Sequence, residues 1–204
     1  MISTIVMDFY LRFLYHTLVV PYNLTRIFAF ICPYDIAAFH DIRDSDREDQ
    51  AKQLCNSFKA RTTKKGGRLF LIPYVQGDHW VLIALDPAKE KYEKLAIYYL
   101  CSASRQLNNR KDMMKLINKV VFLYRTDESL TVPRVKPFDQ LFTWIVIRCP
   151  HQRPDSVDCG YCVMRFIKDI ITHAKTSIFT KYYDDACCEE FGDAHINEVV
   201  EEWC

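Results

Sequence analysis

Apolar residues recur along the start of the chain with the spacing of an α-helix. Between residues 2 and 14 they follow one another at steps of three and one, which places their side chains on one helical face. The predicted buried face of this first helix consists of Ile2, Ile5, Val6, Phe9, Tyr10, Phe13 and Leu14. A second helix is predicted near residues 47–60, and its inward residues are Ala51, Leu54, Cys55 and Phe58.

The middle of the chain contains shorter apolar or alternating runs, bounded by Gly, Pro or charged residues. Runs of this length and kind predict β-strands. Four strands are expected, at residues 68–76, 80–86, 94–100 and 142–148. The segment RTTKKGG before the first strand reads as a turn, and a helix near 105–119 separates the third strand from the fourth.

Helical spacing returns in the last quarter of the chain. After Cys159, the apolar residues of a further helix are Val163, Phe166, Ile167, Ile170 and Ile171. In the tail, a last amphipathic helix carries Ile196, Val199, Val200 and Trp203. This order of helices, then strands, then helices predicts one α+β domain over residues 1–204, a length that allows a sizeable core.

Charge and cysteine content narrow the possible function classes. Lys and Arg number 27 against 26 Asp and Glu, so bulk charge gives no reason to expect a nucleic acid or membrane partner. The N-terminal segment carries Asp8, Arg12 and His16 at helical spacing, which is typical of neither a secretion signal nor a membrane span. The 9 scattered cysteines are therefore expected to be reduced in an intracellular protein of the nucleus or cytoplasm.

The stretch QRPDSVDCGYCVMRF places Cys159 and Cys162 three positions apart at a helix start. A redox pair of the thioredoxin kind has this placement, but its fold needs sheet after the motif, and residues 163–204 read as helix and polar loop. Zinc needs four ligands, and neither Cys187–Cys188 nor Cys149–His151 supplies a second pair at the usual spacing. We therefore expect no metal and no cofactor, with Cys162 in the core and Cys159 at the edge of the helix.

A cysteine at a helix start becomes a nucleophile only when a base lies beside it. Of the 6 histidines, His16 and His173 fall within helical patterns, whereas His79 begins a strand in QGDHWVLIALDP. A histidine at the first position of a strand projects into the cleft that the strand end forms. A single histidine is more often structural, so the case for His79 depends on the pattern around it.

Three segments together, HWVLIALDP, AIYYL and CPHQRPDSVDCGYCVMRF, resemble the ubiquitin-like-protein proteases, the cysteine proteases that process SUMO and its relatives. The opening STIVMDFYLRFLY is similar to that family's first helix, and EVVEEW to its last. The resemblance implies a papain-like α+β architecture of the ubiquitin-like-protease type, with a short mixed sheet flanked by helices. It also implies a monomeric cysteine peptidase that cleaves after the Gly-Gly tail of a SUMO-type modifier, in processing or in isopeptide deconjugation.

The resemblance assigns roles to four residues. His79 is the general base and Cys159 the nucleophile, whose thiolate a helix N-terminus and an imidazolium would both stabilise. Gln152 supplies a side-chain donor to the oxyanion hole, where losing one donor typically costs about 10²–10³ in rate. Trp80 lies over the thin Gly-Gly tail of the substrate.

The chain departs from the family pattern at the residue expected to orient the base. The family ends its third strand in a pattern like YYLDS, whereas this chain has YYLCS, so Cys101 occupies the Asp position. If Cys101 lies beside His79, its thiol should face the imidazole, but a neutral thiol is a weak acceptor that cannot stabilise an imidazolium as a carboxylate does. Strong activity would require another group, such as Ser102 or a backbone carbonyl, to orient His79.

Two smaller departures concern the oxyanion donor and the N-terminus. Gln152 precedes Cys159 by seven residues, with Arg153 as an apparent extra residue, which leaves His151 as a second candidate for the cleft. The family's Trp-Leu pair, which helps to clamp the tail, would fall at or before Met1, so the chain is either truncated there or diverging from activity. The alternative function is therefore a catalytically impaired pseudo-protease that binds a ubiquitin-like partner without cleaving it.

Overall fold

A central sheet of five strands separates two groups of helices in the computed structural model, which describes residues 2–37, 44–61, 68–86, 95–103, 111–126, 142–173 and 190–202. The helices are α1 (Thr4–Leu14), α2 (Tyr34–Ala37), α3 (Asp44–Arg61), α4 (Lys111–Thr126), α5 (Cys159–His173) and α6 (Asp193–Glu201). The strands are β1 (Phe28–Phe30), β2 (Leu69–Gln76), β3 (His79–Leu85), β4 (Leu95–Leu100) and β5 (Phe142–Val146). A π-helical turn (Tyr15–Val19) continues α1, and a 3₁₀ turn (Leu24–Arg26) precedes β1.

The sheet is mixed, with the strands in sequence order from β1 to β5. Strand β3 pairs antiparallel with both β2 and β4, whereas β1 pairs with β2, and β5 with β4, in parallel. The register pairs Gln76 with His79, so a turn of only Gly77 and Asp78 joins β2 to β3. Gly77 has a φ of 63°, a left-handed conformation that glycine adopts without steric cost. This turn places His79 at the very start of its strand.

The sheet divides the apolar interior into two cores. One core lies between the sheet and helices α1, α5 and α6, and the other lies between the sheet and helices α3 and α4. Successive residues of β3 face opposite cores, with Leu82 in the first and Ile83 in the second. Because helices cover both faces, β3 is buried along its whole length, which explains its unbroken apolar run.

The four predicted strands are confirmed as β2 to β5, and the structure adds the short strand β1. All four inward residues predicted for the second helix are buried on α3. The helix predicted near 105–119 extends further, to Thr126, and its proposed start at 105–110 lies outside the described residues. The predicted turn lies largely outside them too, except that Arg61 still belongs to α3.

The predicted buried face of α1 is partly wrong. Ile5 and Phe9 are 53% and 60% exposed, whereas Met7 and Leu11, which the prediction left out, lie in the core. Apolar residues occur almost all round this helix, so spacing alone could not select the face that packs. The choice follows from contact with α5, which α1 meets in the first core.

The C-terminal helices follow the prediction. All five predicted inward residues of α5 are buried, as are Ile196 and Val199 on α6. Val200 packs partly buried against the first core, and Trp203 lies outside the described residues. In the part of the chain that the structure describes, no helix has both the length and the apolar character that a membrane span requires.

Candidate active site

Three chain segments meet at one end of the sheet: the start of β3, the end of β4 and the first turn of α5. The β3–β4 register pairs Leu82 with Leu100, which brings Cys101 alongside the first residues of β3. Helix α5 packs across β3 and begins with Cys159. Residues far apart in sequence are thus brought around the side chain of His79.

On the β4 side, the imidazole of His79 contacts Cys101. The distance from His79 Nε2 to Cys101 Sγ is 3.2 Å, and both residues are buried. Which atom donates depends on the tautomer of the ring. The contact confirms the expectation that the Cys101 thiol faces the imidazole of His79.

On the α5 side, the Cys159 sulfur lies against the backbone on both sides of His79. The backbone N–H of Trp80 donates to Cys159 Sγ at 3.5 Å, and the carbonyl oxygen of Asp78 lies 3.9 Å from it. This arrangement brings together the two residues assigned as base and nucleophile. The separation of roughly 3–4 Å that we expect between the ring nitrogen and the sulfur stays a prediction.

The two cysteines of the CxxC pair lie in different surroundings. Burial raises the pKa of the Cys159 thiol, and hydrogen bonds from the backbone N–H groups of Trp80 and Gly160 oppose that rise. Burial raises the pKa of Cys162 to about 12, although a hydrogen bond with Ser102 opposes the rise. Cys162 is fully enclosed in the first core, as predicted, and burial raises its pKa strongly.

Gln152 is held in the site by three hydrogen bonds. Its backbone N–H donates to the carbonyl oxygen of Ser102 at 3.0 Å. Its side-chain Oε1 accepts from the Ser102 hydroxyl at 3.0 Å, and its Nε2 donates to the carbonyl oxygen of Ser156 at 2.8 Å. His151, the alternative candidate, is exposed and pairs through its backbone with Glu190.

The segment between Gln152 and α5 forms a tight turn. The backbone N–H of Ser156 donates to the carbonyl oxygen of Arg153 at 3.2 Å, and Asp155 has a left-handed φ of 59°. Asp is among the few residues that adopt this conformation readily. An ion pair of 3.0 Å between Arg153 and Asp158 closes the segment just before Cys159.

Trp80 is covered in this structure. Its side chain is 1% exposed, and its indole N–H donates to the carbonyl oxygen of Ile2 at 3.1 Å. A Cβ built on Gly160 would collide with Ile2 Cγ1 and lie 3.3 Å from Trp80 Cδ1, so Ile2, Trp80 and Gly160 are in close contact. The role of Trp80 over a substrate tail stays a prediction, and it requires the Ile2 segment to shift.

The sequence reasoning named Ser102 only as a group that could orient His79 and missed its contact with Gln152. The Ser102 hydroxyl donates to Gln152 Oε1. The only sequence signal was its position directly after Cys101. Among the described residues, no three or more His, Cys, Asp or Glu side chains are grouped to hold a metal ion.

No protein-family model and no curated protein matches the sequence. Solved structures do match. One is a crystal structure of a de-sumoylating protease, with a TM-score of 0.67 and 13% identity over 99% of this chain and 79% of that one. Another is the Xanthomonas campestris effector protein XopD bound to ubiquitin, with a TM-score of 0.51 and 13% identity over 95% of this chain and 89% of that one. The chain therefore has the α+β fold of the ubiquitin-like-protein proteases, as the sequence resemblance implied.

Proposed function

We propose that the chain is a cysteine peptidase that cleaves after the Gly-Gly tail of a ubiquitin-like protein of the SUMO type. The observation that carries the proposal is the placement of Cys159 at the first residue of α5, with its sulfur against the backbone that flanks His79. The same fold occurs in a de-sumoylating protease and in an effector bound to ubiquitin, which supports this substrate class.

In the proposed reaction, His79 takes the proton of the Cys159 thiol, and the thiolate attacks the carbonyl carbon of the terminal glycine. The negative charge passes to the carbonyl oxygen, where the backbone N–H of Cys159 and one N–H of Gln152 donate hydrogen bonds. The imidazolium then protonates the departing amine, and a thioester remains on Cys159. Water, deprotonated by His79, hydrolyses the thioester and releases the free carboxylate and the thiol.

The nature of Cys101 sets an expectation for the rate. A carboxylate beside the imidazole would stabilise the imidazolium and so favour the thiolate–imidazolium pair. The Cys101 thiol at 3.2 Å from His79 Nε2 carries no such charge when neutral. We therefore expect slow cleavage by the natural chain, acting as a monomer in the nucleus or cytoplasm.

The test is incubation with SUMO-type and ubiquitin-type proteins that carry an electrophile at their C-terminus, followed by mass spectrometry of the intact protein and of its peptides. We expect one covalent adduct, formed with a SUMO-type probe and located on Cys159. Absence of an adduct with every probe, from a folded protein, would contradict the proposed peptidase.

A second candidate function, the pseudo-protease, is favoured by Cys101 in the Asp position and by the covered Trp80. Such a protein would bind a ubiquitin-like partner and leave its C-terminus intact. Isothermal titration calorimetry with an unmodified SUMO-type protein, combined with a cleavage assay on its precursor, separates the two functions. Tight binding without cleavage and without adduct formation would support the second.

A further inference from the structure

Ser102 lies at the junction of the two halves of the site. It directly follows Cys101, which contacts His79, and it makes two hydrogen bonds to Gln152, which is 50 positions away in sequence. The Ser102 side chain is 1% exposed, so these bonds are shielded from water. The hydroxyl also contacts the Cys162 thiol in the core. A buried hydrogen bond is a stronger restraint than the same bond at the surface.

The hydrogen bonds to the side chain of Gln152 leave one donor over. A carboxamide has two N–H donors and an oxygen with two lone pairs. The Ser102 hydroxyl occupies the oxygen, and the Ser156 carbonyl oxygen takes one of the two N–H groups. In this hydrogen-bond arrangement, the second N–H of the Gln152 carboxamide remains for a ligand.

Both restraints are needed to aim that remaining N–H. The bond to Ser156 prevents the carboxamide from flipping, because a flip would set two oxygens against each other. One anchored atom still allows the planar group to swing about that point. The second anchor, from the Ser102 hydroxyl to Oε1, holds the plane of the carboxamide and so the direction of the free N–H.

We propose that Ser102 is the positioning residue for the oxyanion donor of Gln152, an inference that rests on the proposed peptidase function. In this proposal Ser102 touches neither substrate nor reacting atoms and acts on the reaction through Gln152. The pair Cys101–Ser102 then serves both parts of the site, with the first residue against the base and the second holding the oxyanion donor.

The expected effect lies in turnover rather than in substrate binding. Removal of an oxyanion donor typically lowers kcat by about 10²–10³, and a donor that is present but poorly aimed loses part of this. Ser102→Ala should therefore lower kcat by about 5–50-fold and leave KM nearly unchanged. Ser102→Thr keeps the hydroxyl and should recover most of the loss if the added methyl fits.

A double-mutant cycle on cleavage of a SUMO-type precursor tests whether Ser102 acts through Gln152. The cycle compares the natural chain with Ser102→Ala, Gln152→Ala and the double variant, all shown to be folded by circular dichroism. We expect Ser102→Ala to have almost no effect in the Gln152→Ala background. An equal fold-loss in both backgrounds would show a structural role instead and would overturn the proposal.

A second readout does not depend on activity. In ¹⁵N-labelled protein, the side-chain amide of Gln152 gives its own pair of proton resonances, which the Gln152→Ala variant identifies. Ser102→Ala should shift or broaden this pair, and unchanged resonances would overturn the positioning role. If no ubiquitin-like probe reacts with the natural chain, the peptidase proposal fails, and the spectrum still decides whether Ser102 holds Gln152.

Discussion

The two sides of His79 are built differently. On the α5 side, the sulfur of Cys159 lies against the flanking backbone, and Gln152 is anchored by three hydrogen bonds nearby. On the β4 side, the imidazole contacts the thiol of Cys101 at the place where a carboxylate is expected. The α5 side holds the residues proposed to make and break bonds, whereas the β4 side holds a thiol in place of a carboxylate.

The difference shows that geometry and charge in such a site are separate requirements. Cys101 lies within contact distance of Nε2 and therefore preserves the arrangement of the strand ends around His79. A neutral thiol can hold a ring in place by packing but stabilises an imidazolium poorly. The fold alone therefore does not decide between a working and an impaired enzyme.

The largest expected effect comes from removing the nucleophile. Cys159→Ser should abolish labelling by an electrophilic ubiquitin-like probe, because a serine hydroxyl is far less acidic than a thiol. Cys162→Ser, its matched control in the same helix turn, should still be labelled, since Cys162 is enclosed in the core. Mass spectrometry of the adduct distinguishes them, and labelling that survives the first change but not the second would reverse the assignment.

The second-largest effect is expected from placing a negative charge beside His79, on the β4 side. Cys101→Asp should raise turnover by about one to three orders of magnitude, an estimate scaled down from the loss of about 10⁴ when the triad Asp of a serine protease becomes Asn. Cys101→Asn is the control, because it has a similar size without the charge and should give little gain.

Folding of the Cys101→Asp variant must be checked first by circular dichroism. Cys101 is buried, and an unpaired buried carboxylate costs several kcal/mol. A folded Cys101→Asp protein that binds a ubiquitin-like protein tightly and still fails to cleave would favour the pseudo-protease.

A smaller effect concerns pH. Burial raises the pKa of Cys159 above its ordinary value, so the thiolate fraction should increase about tenfold per pH unit through neutrality. The rate of alkylation of Cys159 by iodoacetamide, followed by mass spectrometry, should rise accordingly and level off only at alkaline pH. In Cys101→Asp, the rise should begin at lower pH, because a carboxylate favours the thiolate–imidazolium pair.

The raised pKa of Cys159 also makes the stability of the fold depend on pH. A thiol whose pKa is raised on folding favours the folded state in its neutral form. This contribution to stability is fully present below the unfolded-state pKa and is lost as the pH rises through the folded-state pKa.

The alkylation experiment has an outcome that would contradict the expected rise. An alkylation rate of Cys159 that stays flat through neutral pH in the natural chain would show that Cys159 and His79 already form an ion pair without a carboxylate.

The smallest effect tests the close packing on the α5 side. Gly160→Ala would place a Cβ within 2.6 Å of two Ile2 side-chain carbons, so Ile2 must shift. Overpacking of this kind typically costs about 1–3 kcal/mol, which lowers the melting temperature by about 2–4 °C per kcal/mol in a chain of this size. The double variant with Ile2→Ala should recover part of the loss in thermal denaturation. Equal melting temperatures for Gly160→Ala and the natural chain would contradict the contact.

Local sequence determined the helices and strands in which buried positions recur at a regular spacing. Strand β3 is covered on both faces, so its sequence is an unbroken apolar run that identifies it as a strand. Helix α5 buries one face, and its apolar residues recur at the matching spacing. The roles of His79 and Cys159 were proposed from the resemblance of their segments to the ubiquitin-like-protein proteases, and each residue stands at the start of an element.

Tertiary packing alone decided what depends on partners far along the chain. The buried face of α1 is set by its contact with α5, since apolar residues such as Ile5 and Phe9 also occur on its exposed face. Strand β1 is too short for any repeat to appear. The bond between Ser102 and Gln152 spans 50 positions and exists only because β4 and the segment before α5 end at the same edge of the sheet. Local periodicity records which side of an element is buried, but it carries no information about which distant residue will lie opposite.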